Sequence, residues 1–133
     1  MNGIIETLAK TKETDTFSDL ILKAGLEDIL NSQGPFTVFA PNNEAFGELP
    51  EDTVKLLKQG GEGLLSILNY HIVQDDLTVK DLSNMPSVET AEGEDILIEI
   101  LDDTVTINDA AVIKPDISFN DGWVHVIDSV LMP

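Results

Sequence analysis

Up to Tyr70 the apolar residues of this chain recur at helical spacing, and after it they alternate in steps of two. Ile5 and Leu8 predict a short first helix; Phe17, Leu20, Ile21 and Ala24 predict a second. Asp15 or Thr16 is placed to cap the second helix, and Asp19 to meet its dipole from the first turn. Gly25 ends it, with Leu26 set for the hydrophobic contact that follows a glycine cap, and a short turn covers Glu27 to Asn31. Gly34-Pro35 interrupts the pattern. Phe36 to Ala40 then reads as a buried strand stopped by Pro41, and Asn42 or Asn43 caps a helix through Glu44-Ala45-Phe46. Pro50 opens a further helix, with Glu51 and Asp52 at its positive end, Lys55 and Lys58 toward its negative end, and Gly60-Gly61 closing it. Leu64, Leu65 and Leu68 predict one more helix over Glu62 to Asn69.

His71-Ile72-Val73 begins the strand half, and Thr78 caps at most one helical turn ending at Leu82. Ile96, Ile98 and Ile100 share a side; Val105 and Ile107 precede Asn108-Asp109; Val124 and Val126 alternate with His125 and Ile127. The short connections predict antiparallel hairpins, and no late helix is long enough for a parallel crossover. The fold class is α+β, helices first and then a mostly antiparallel sheet system. A length of 133 residues predicts a single domain over 1–133 with a core of its own.

Charge narrows the partners. There are 25 acids against 7 bases, a net −18, and every base is a lysine. Nucleic acid requires a cationic surface to displace phosphate counterions, and an anionic membrane surface would repel this chain. No apolar run nears the ~20 residues of a membrane-spanning helix, so no membrane insertion is expected. With no cysteine there is neither a disulfide nor a zinc–thiolate site. The start, Met1-Asn2-Gly3-Ile4-Ile5-Glu6, shows no basic region leading into an apolar stretch, so no export signal is read there.

Three separated segments carry a resemblance. They are Thr37-Val38-Phe39-Ala40-Pro41 with Glu44-Ala45-Phe46, Tyr70-His71 leading into a strand, and Val124-His125-Val126-Ile127-Asp128 running to Val130-Leu131-Met132-Pro133. In this order and spacing the chain resembles the fasciclin-type adhesion domain, as a single-domain, microbial-like member. The polar pair after the first mark is Asn42-Asn43, where the family commonly has threonine and aspartate. The resemblance implies a compact wedge of two twisted β-sheets, a sandwich, with the N-terminal helices along one edge. It also implies a non-catalytic, secreted or cell-surface module that binds a protein or extracellular surface partner in adhesion, with no cofactor, as a monomer. Animal members link integrin binding to the tyrosine-histidine segment, here Tyr70 and His71, and to an aspartate-isoleucine pair, here Asp116 and Ile117.

The residues themselves offer little chemistry. His71 and His125 are the only histidines, and both stand in apolar, strand-like surroundings. As a base with Asp128, or as a shared metal site, they would need a nucleophile or further ligands. Ser66, Ser118 and Ser129 lack the glycine context of a nucleophile elbow. Backbone-bonded interior histidines are the plainer reading. Trp123, the sole tryptophan, follows the turn signal Asp121-Gly122 and is a candidate contact residue. Asp75-Asp76, Asp102-Asp103 and the Glu92 to Asp95 loop are acid clusters, but none has calcium-loop spacing. The candidate partner-binding residues are thus Tyr70, His71, Asp116, Ile117 and Trp123, with no catalytic or metal residue. The alternatives are an envelope or stress protein of a salt-tolerant microbe, binding a small molecule, polysaccharide or weak cation, and a small hydrolase. Salt tests the first alternative. Screening saturates once the Debye length falls to about 8 Å near 0.15 M, so an acid coat adapted to salt predicts a melting temperature that keeps climbing into molar NaCl; a flat curve counts against it.

Overall fold

The computed structural model describes residues 3–132, so Pro133 of the third segment lies outside the described residues. Helices come first: α1 (Ile4–Lys10), α2 (Asp15–Ala24), α3 (Glu27–Ser32), then strand β1 (Phe36–Pro41), α4 (Asn43–Gly47), α5 (Glu51–Gln59) and α6 (Gly61–Asn69). The strand half follows as β2 (Ile72–Val73), a single turn α7 (Val79–Leu82), β3 (Ser87–Glu89), β4 (Asp95–Leu101), β5 (Thr104–Ile107), β6 (Ala110–Phe119) and β7 (Gly122–Ile127).

Local chemistry explains three of the helix ends. Gly25 is left-handed (φ 71°), and Leu26 N–H reaches the Ile21 carbonyl at 3.1 Å, the bond of a glycine-terminated helix. Asn42 caps α4 through Ala45 N–H at 2.9 Å, and Thr78 with Asp81 forms a capping box on α7. The start of α2 differs from expectation. Its cap position is Thr14, whose hydroxyl donates to the Leu8 and Thr11 carbonyls, and Asp19 lies beyond the first turn. The side chain serving that end is Asn43, whose Oδ1 accepts from Thr16 N–H at 3.1 Å. Asn31 does the same for α1, accepting from Ile4 N–H at 2.7 Å.

Hydrogen bonding joins the seven strands of the described residues into one mixed sheet in the order β2-β1-β7-β6-β5-β4-β3, where the family resemblance implied two sheets. The strand that makes it continuous is β6, which pairs with β5 through Ala110 and Ala111 and with β7 from Val112 to Phe119, bending at two irregularities on the way. All pairings are antiparallel except one. β1 and β7 run parallel over six residue pairs, Phe36–Gly122 to Pro41–Ile127, and more than half of the chain serves as their crossover. The absence of a late helix therefore did not exclude a parallel pair, because the crossover helices precede the late strands.

This central pair is buried on both faces, which is why β1 reads as a continuous apolar run. Phe36, Val38, Ala40 and Val124 pack under helices α1, α2, α3, α5 and α6 with Phe17, Ile21, Leu64 and Leu68. Phe39 and Ile127 face the second core, inside the curl of the sheet, with Ile96, Ile98, Ile107 and Leu82. Ile100, expected to continue that side, is 52% exposed at the end of β4.

Gly122 opens β7 at φ 150°, and a Cβ there would collide with the Phe36 carbonyl oxygen. Gly122→Ala should cost at least about 3 kcal/mol, since strain and the loss of parallel pairing add. Gly47→Ala, in open space at the end of α4, should be neutral or stabilising by up to about 0.5 kcal/mol. Urea denaturation of the two variants measures the contrast; equal stabilities would contradict this account of the β1–β7 pair.

Candidate functional site

The two histidines take different places, one beside Phe17 of the helix-side core and one beside Phe39 of the second core. His71 follows α6 and is 1% exposed. Its Nδ1 donates to the Ile67 carbonyl at 2.8 Å, and its Nε2 accepts from Leu131 N–H at 2.9 Å. Its ring lies 5.9 Å from that of Phe17. His125, on β7, is fully buried 5.8 Å from the Phe39 ring. Its Nε2 donates to the Leu77 carbonyl at 2.8 Å, and its Nδ1 accepts from Asp116 N–H at 2.9 Å. Each imidazole is a neutral tautomer with both nitrogens engaged by backbone.

Burial holds both rings in that state. His71 is lowered to about 4, because desolvation of the cation outweighs the Ile67 carbonyl bond that favours it. His125 is also lowered by burial, against the Leu77 carbonyl and the charge of Asp116. The Asp116 carboxylate lies 3.8 Å from His125 Nδ1, yet this is no ion pair: that nitrogen already accepts the Asp116 N–H and carries no proton.

Asp116 is a structural junction that the sequence did not announce. It sits in the irregular stretch of β6 at φ 58°, its N–H on His125 and its Oδ1 accepting from Val79 N–H at 2.8 Å. Thr37 completes the connection. Its buried hydroxyl donates to the Asp75 carbonyl at 2.6 Å and accepts from Leu77 N–H at 2.8 Å. Thr37, Leu77, His125, Asp116 and Val79 thus tie the segment before α7 to the sheet.

The other predicted residues are scattered. Tyr70 is buried, its hydroxyl donating to the Asp95 carbonyl and accepting from Asn108 Nδ2 at 2.8 Å. Tyr70 and His71 therefore offer no exposed side chain to a partner, whereas Asp116 is exposed and Ile117 and Trp123 are half-buried. Ile117 packs on the helix-side core opposite Val124, and Trp123 sits across from Ser118. Asp128, weighed as a partner for a catalytic histidine, accepts from Ala111 N–H at 2.8 Å instead. Asp102 and Asp103, noted as an acid pair, are both left-handed and form the two-residue turn between β4 and β5. Among the described residues no group of three or more His, Asp or Glu side chains converges on a point, and no helix is long and apolar enough to cross a membrane.

The fold agrees with comparison to known proteins. The family model of the fasciclin domain matches residues 12–133. The chain belongs to the fasciclin domain family. An uncharacterized Synechocystis protein, sll1735, is 38% identical over 132 residues, covering 99% of this chain and 98% of its own. The transforming growth factor-beta-induced protein ig-h3 of Sus scrofa is 31% identical over 133 residues, and this fasciclin domain spans 20% of its length. A FAS1 domain pair from the insect cell adhesion molecule fasciclin I superposes with a TM-score of 0.80 at 22% identity, covering 99% of this chain and 51% of that one.

The histidine bridges make a pH signature. A pKa lowered on folding means the unfolded chain binds the proton more tightly. Stability from neutral His71 is thus complete above about pH 6.5 and drains away as pH falls toward 4, a loss on the order of 3 kcal/mol. The free-energy gap between the native protein and His71→Gln, from urea melts at pH 7 and pH 4.5, should shrink accordingly, and the His71 ring proton shift should stay unprotonated in NMR down to about pH 5. His71→Ala at pH 7 should cost about 3 kcal/mol, roughly 10 °C in Tm, through the cavity and two orphaned backbone groups. A His71 that titrates near 6.5 in the folded protein would refute the bridge.

Proposed function

We propose that this fasciclin domain is a non-catalytic binding module for cell adhesion or for contact with an extracellular matrix or surface. It acts as a single domain over residues 1–133, as a monomer without a cofactor, secreted or displayed at the cell surface. The observation that carries the reading is that both histidines, the residues best suited to acid–base chemistry, have all their hydrogen-bonding capacity taken by backbone inside the two cores. Neither can exchange a proton with a substrate without breaking the fold. Ser66, Ser118 and Ser129 are exposed and bonded to neither ring, so no activated nucleophile replaces them. Family membership supports the reading, since fasciclin I, whose domain pair shares the fold, is a cell adhesion molecule.

Contact then falls to loops and exposed edges held by a rigid frame. Asp116, Ile117 and Trp123 are accessible enough to take part directly. Tyr70 and His71 contribute by fixing the backbone around them. The partner is a protein or an extracellular surface, and the acid excess excludes nucleic acid.

Beads carrying the folded domain should retain whole source cells or their shed matrix, and beads carrying heat-unfolded chain should not. Antibody against the domain should label intact cells or the culture medium. Equal retention by folded and unfolded chain, or a signal found only after lysis, would overturn the proposal.

A further inference from the structure

The sheet stops just short of closing on itself. Its free edges are β2 and β3, the ends of the strand order. The chain just past β3 reaches β2 through a bond from Ala91 N–H to the Ile72 carbonyl at 2.7 Å. Beyond that bond the two edges part around a cavity of about 500 Å³, with Val73, Leu77, Met85 and Val88 lining it and the exposed acids Asp75 and Glu89 at its mouth.

Backbone parity shows what this cavity offers. Ile98 N–H donates to the Pro86 carbonyl and Thr90 N–H to the Glu94 carbonyl, so residues 86, 88 and 90 turn their peptide groups toward β4. Ser87 and Glu89 must then turn theirs into the gap. On the other edge Phe39 N–H donates to the His71 carbonyl, so residues 71 and 73 serve β1, and Ile72 and Gln74 face the gap. Two edges with outward peptide groups, of which the Ile72 carbonyl is taken by Ala91, frame an opening of mixed lining in which Val73, Leu77, Met85 and Val88 supply the apolar part, the arrangement that recruits an added strand.

The charge around the opening selects the occupant. Two carboxylates and no lysine line it, and a second copy of a chain carrying −18 would be repelled. We propose that the gap between β2 and β3 receives an extended peptide segment bearing lysine or arginine, whose backbone pairs with both edges, whose apolar side chains enter the opening and whose cations meet Asp75 and Glu89. The three residues of β3 offer about 10 Å of edge, enough for three to four residues of the incoming strand. This inference rests on the binding-module reading and gives its partner a chemistry.

The probe is a fluorescein-labelled octapeptide of alternating lysine and valine. Binding should saturate in fluorescence anisotropy, and the amides of Gln74, Ser87 and Glu89 should gain protection from hydrogen exchange. Ser87→Pro removes an outward N–H without touching the β4 bonds and should weaken binding at least tenfold. Asp75→Lys with Glu89→Lys should do the same, which keeps the test decisive if the proline variant fails to fold. Asp19→Lys with Glu48→Lys, an equal charge change at exposed positions in α2 and at the C-cap of α4, should leave affinity within about threefold. Equal binding by the gap variants, or equal loss in the α2–α4 control, would overturn the proposal, as would a dimer in sedimentation that Ser87→Pro dissolves. Cell retention that persists while the gap amides stay unprotected would sink the slot and leave the binding-module reading standing. Retention lost with the peptide still bound at the gap would do the reverse.

Discussion

A neutral imidazole carries one donor and one acceptor on opposite sides of a rigid ring, and this fold uses that geometry twice to span backbone groups that no ladder bond reaches. His71 joins the end of α6 to the C-terminal segment through the Ile67 carbonyl and Leu131 N–H. His125 joins the segment before α7 to the irregular part of β6 through the Leu77 carbonyl and Asp116 N–H. In both cases a proton on the accepting nitrogen would confront an N–H with another N–H and place a cation in an apolar core. The arrangement therefore holds only while the rings stay neutral, and burial is what keeps them so. Packing and protonation state are one constraint here.

That constraint decides where function can lie. β1 and β7 are covered on both faces, and the buried polar side chains they carry, Thr37 and His125, are engaged by backbone. The same rigidity fixes what lies at the margins. The Thr37–Leu77–His125–Asp116 connection sets the segment that borders the opening between β2 and β3, so an interior hydrogen-bond chain determines the shape of an exterior feature. A scaffold of this kind presents edges and loops in a constant geometry and leaves recognition to them.

Much of the fold was legible because local rules and tertiary structure agree. Gly25, Asn42 and Thr78 do at the helix ends what their side chains and backbone freedom allow. What was not legible depends on contacts distant in sequence. The helix caps from Asn31 and Asn43 come from 27 residues downstream. The parallel β1–β7 pair unites segments separated by most of the chain, and neither strand's pattern states its partner. Tyr70, His71 and Asp116 stood out as motif residues, but their burial and bonding depend on how α6, β6 and the C-terminal segment meet. The gap between β2 and β3 left no mark at all, since an unpaired edge is a property of strand order, and strand order was read only as far as hairpins.

The acid excess also looks different once the backbone is known. Among the described residues, the six non-glycine residues with positive φ are Asp, Glu or Asn: Glu13, Asp102, Asp103, Asn108, Asp109 and Asp116. Asp and Asn tolerate this region best among side-chain-bearing residues, because a short polar group can bond locally. Two consecutive hairpins, β4–β5 and β5–β6, turn on Asp102-Asp103 and Asn108-Asp109 with both residues left-handed, where Asn-Gly would be the common solution. Part of the −18 charge is therefore turn chemistry, placed where the chain must reverse. Alanine at Asp102, Asp103 or Asp109 would remove a charge and add strain, whereas glycine or asparagine would remove the charge and keep the turn. The surface charge and the hairpin geometry can be separated on that basis, and the acids at the mouth of the β2–β3 gap, Asp75 and Glu89, fall on the other side of the division: neither has a positive φ, so no backbone requirement explains their charge.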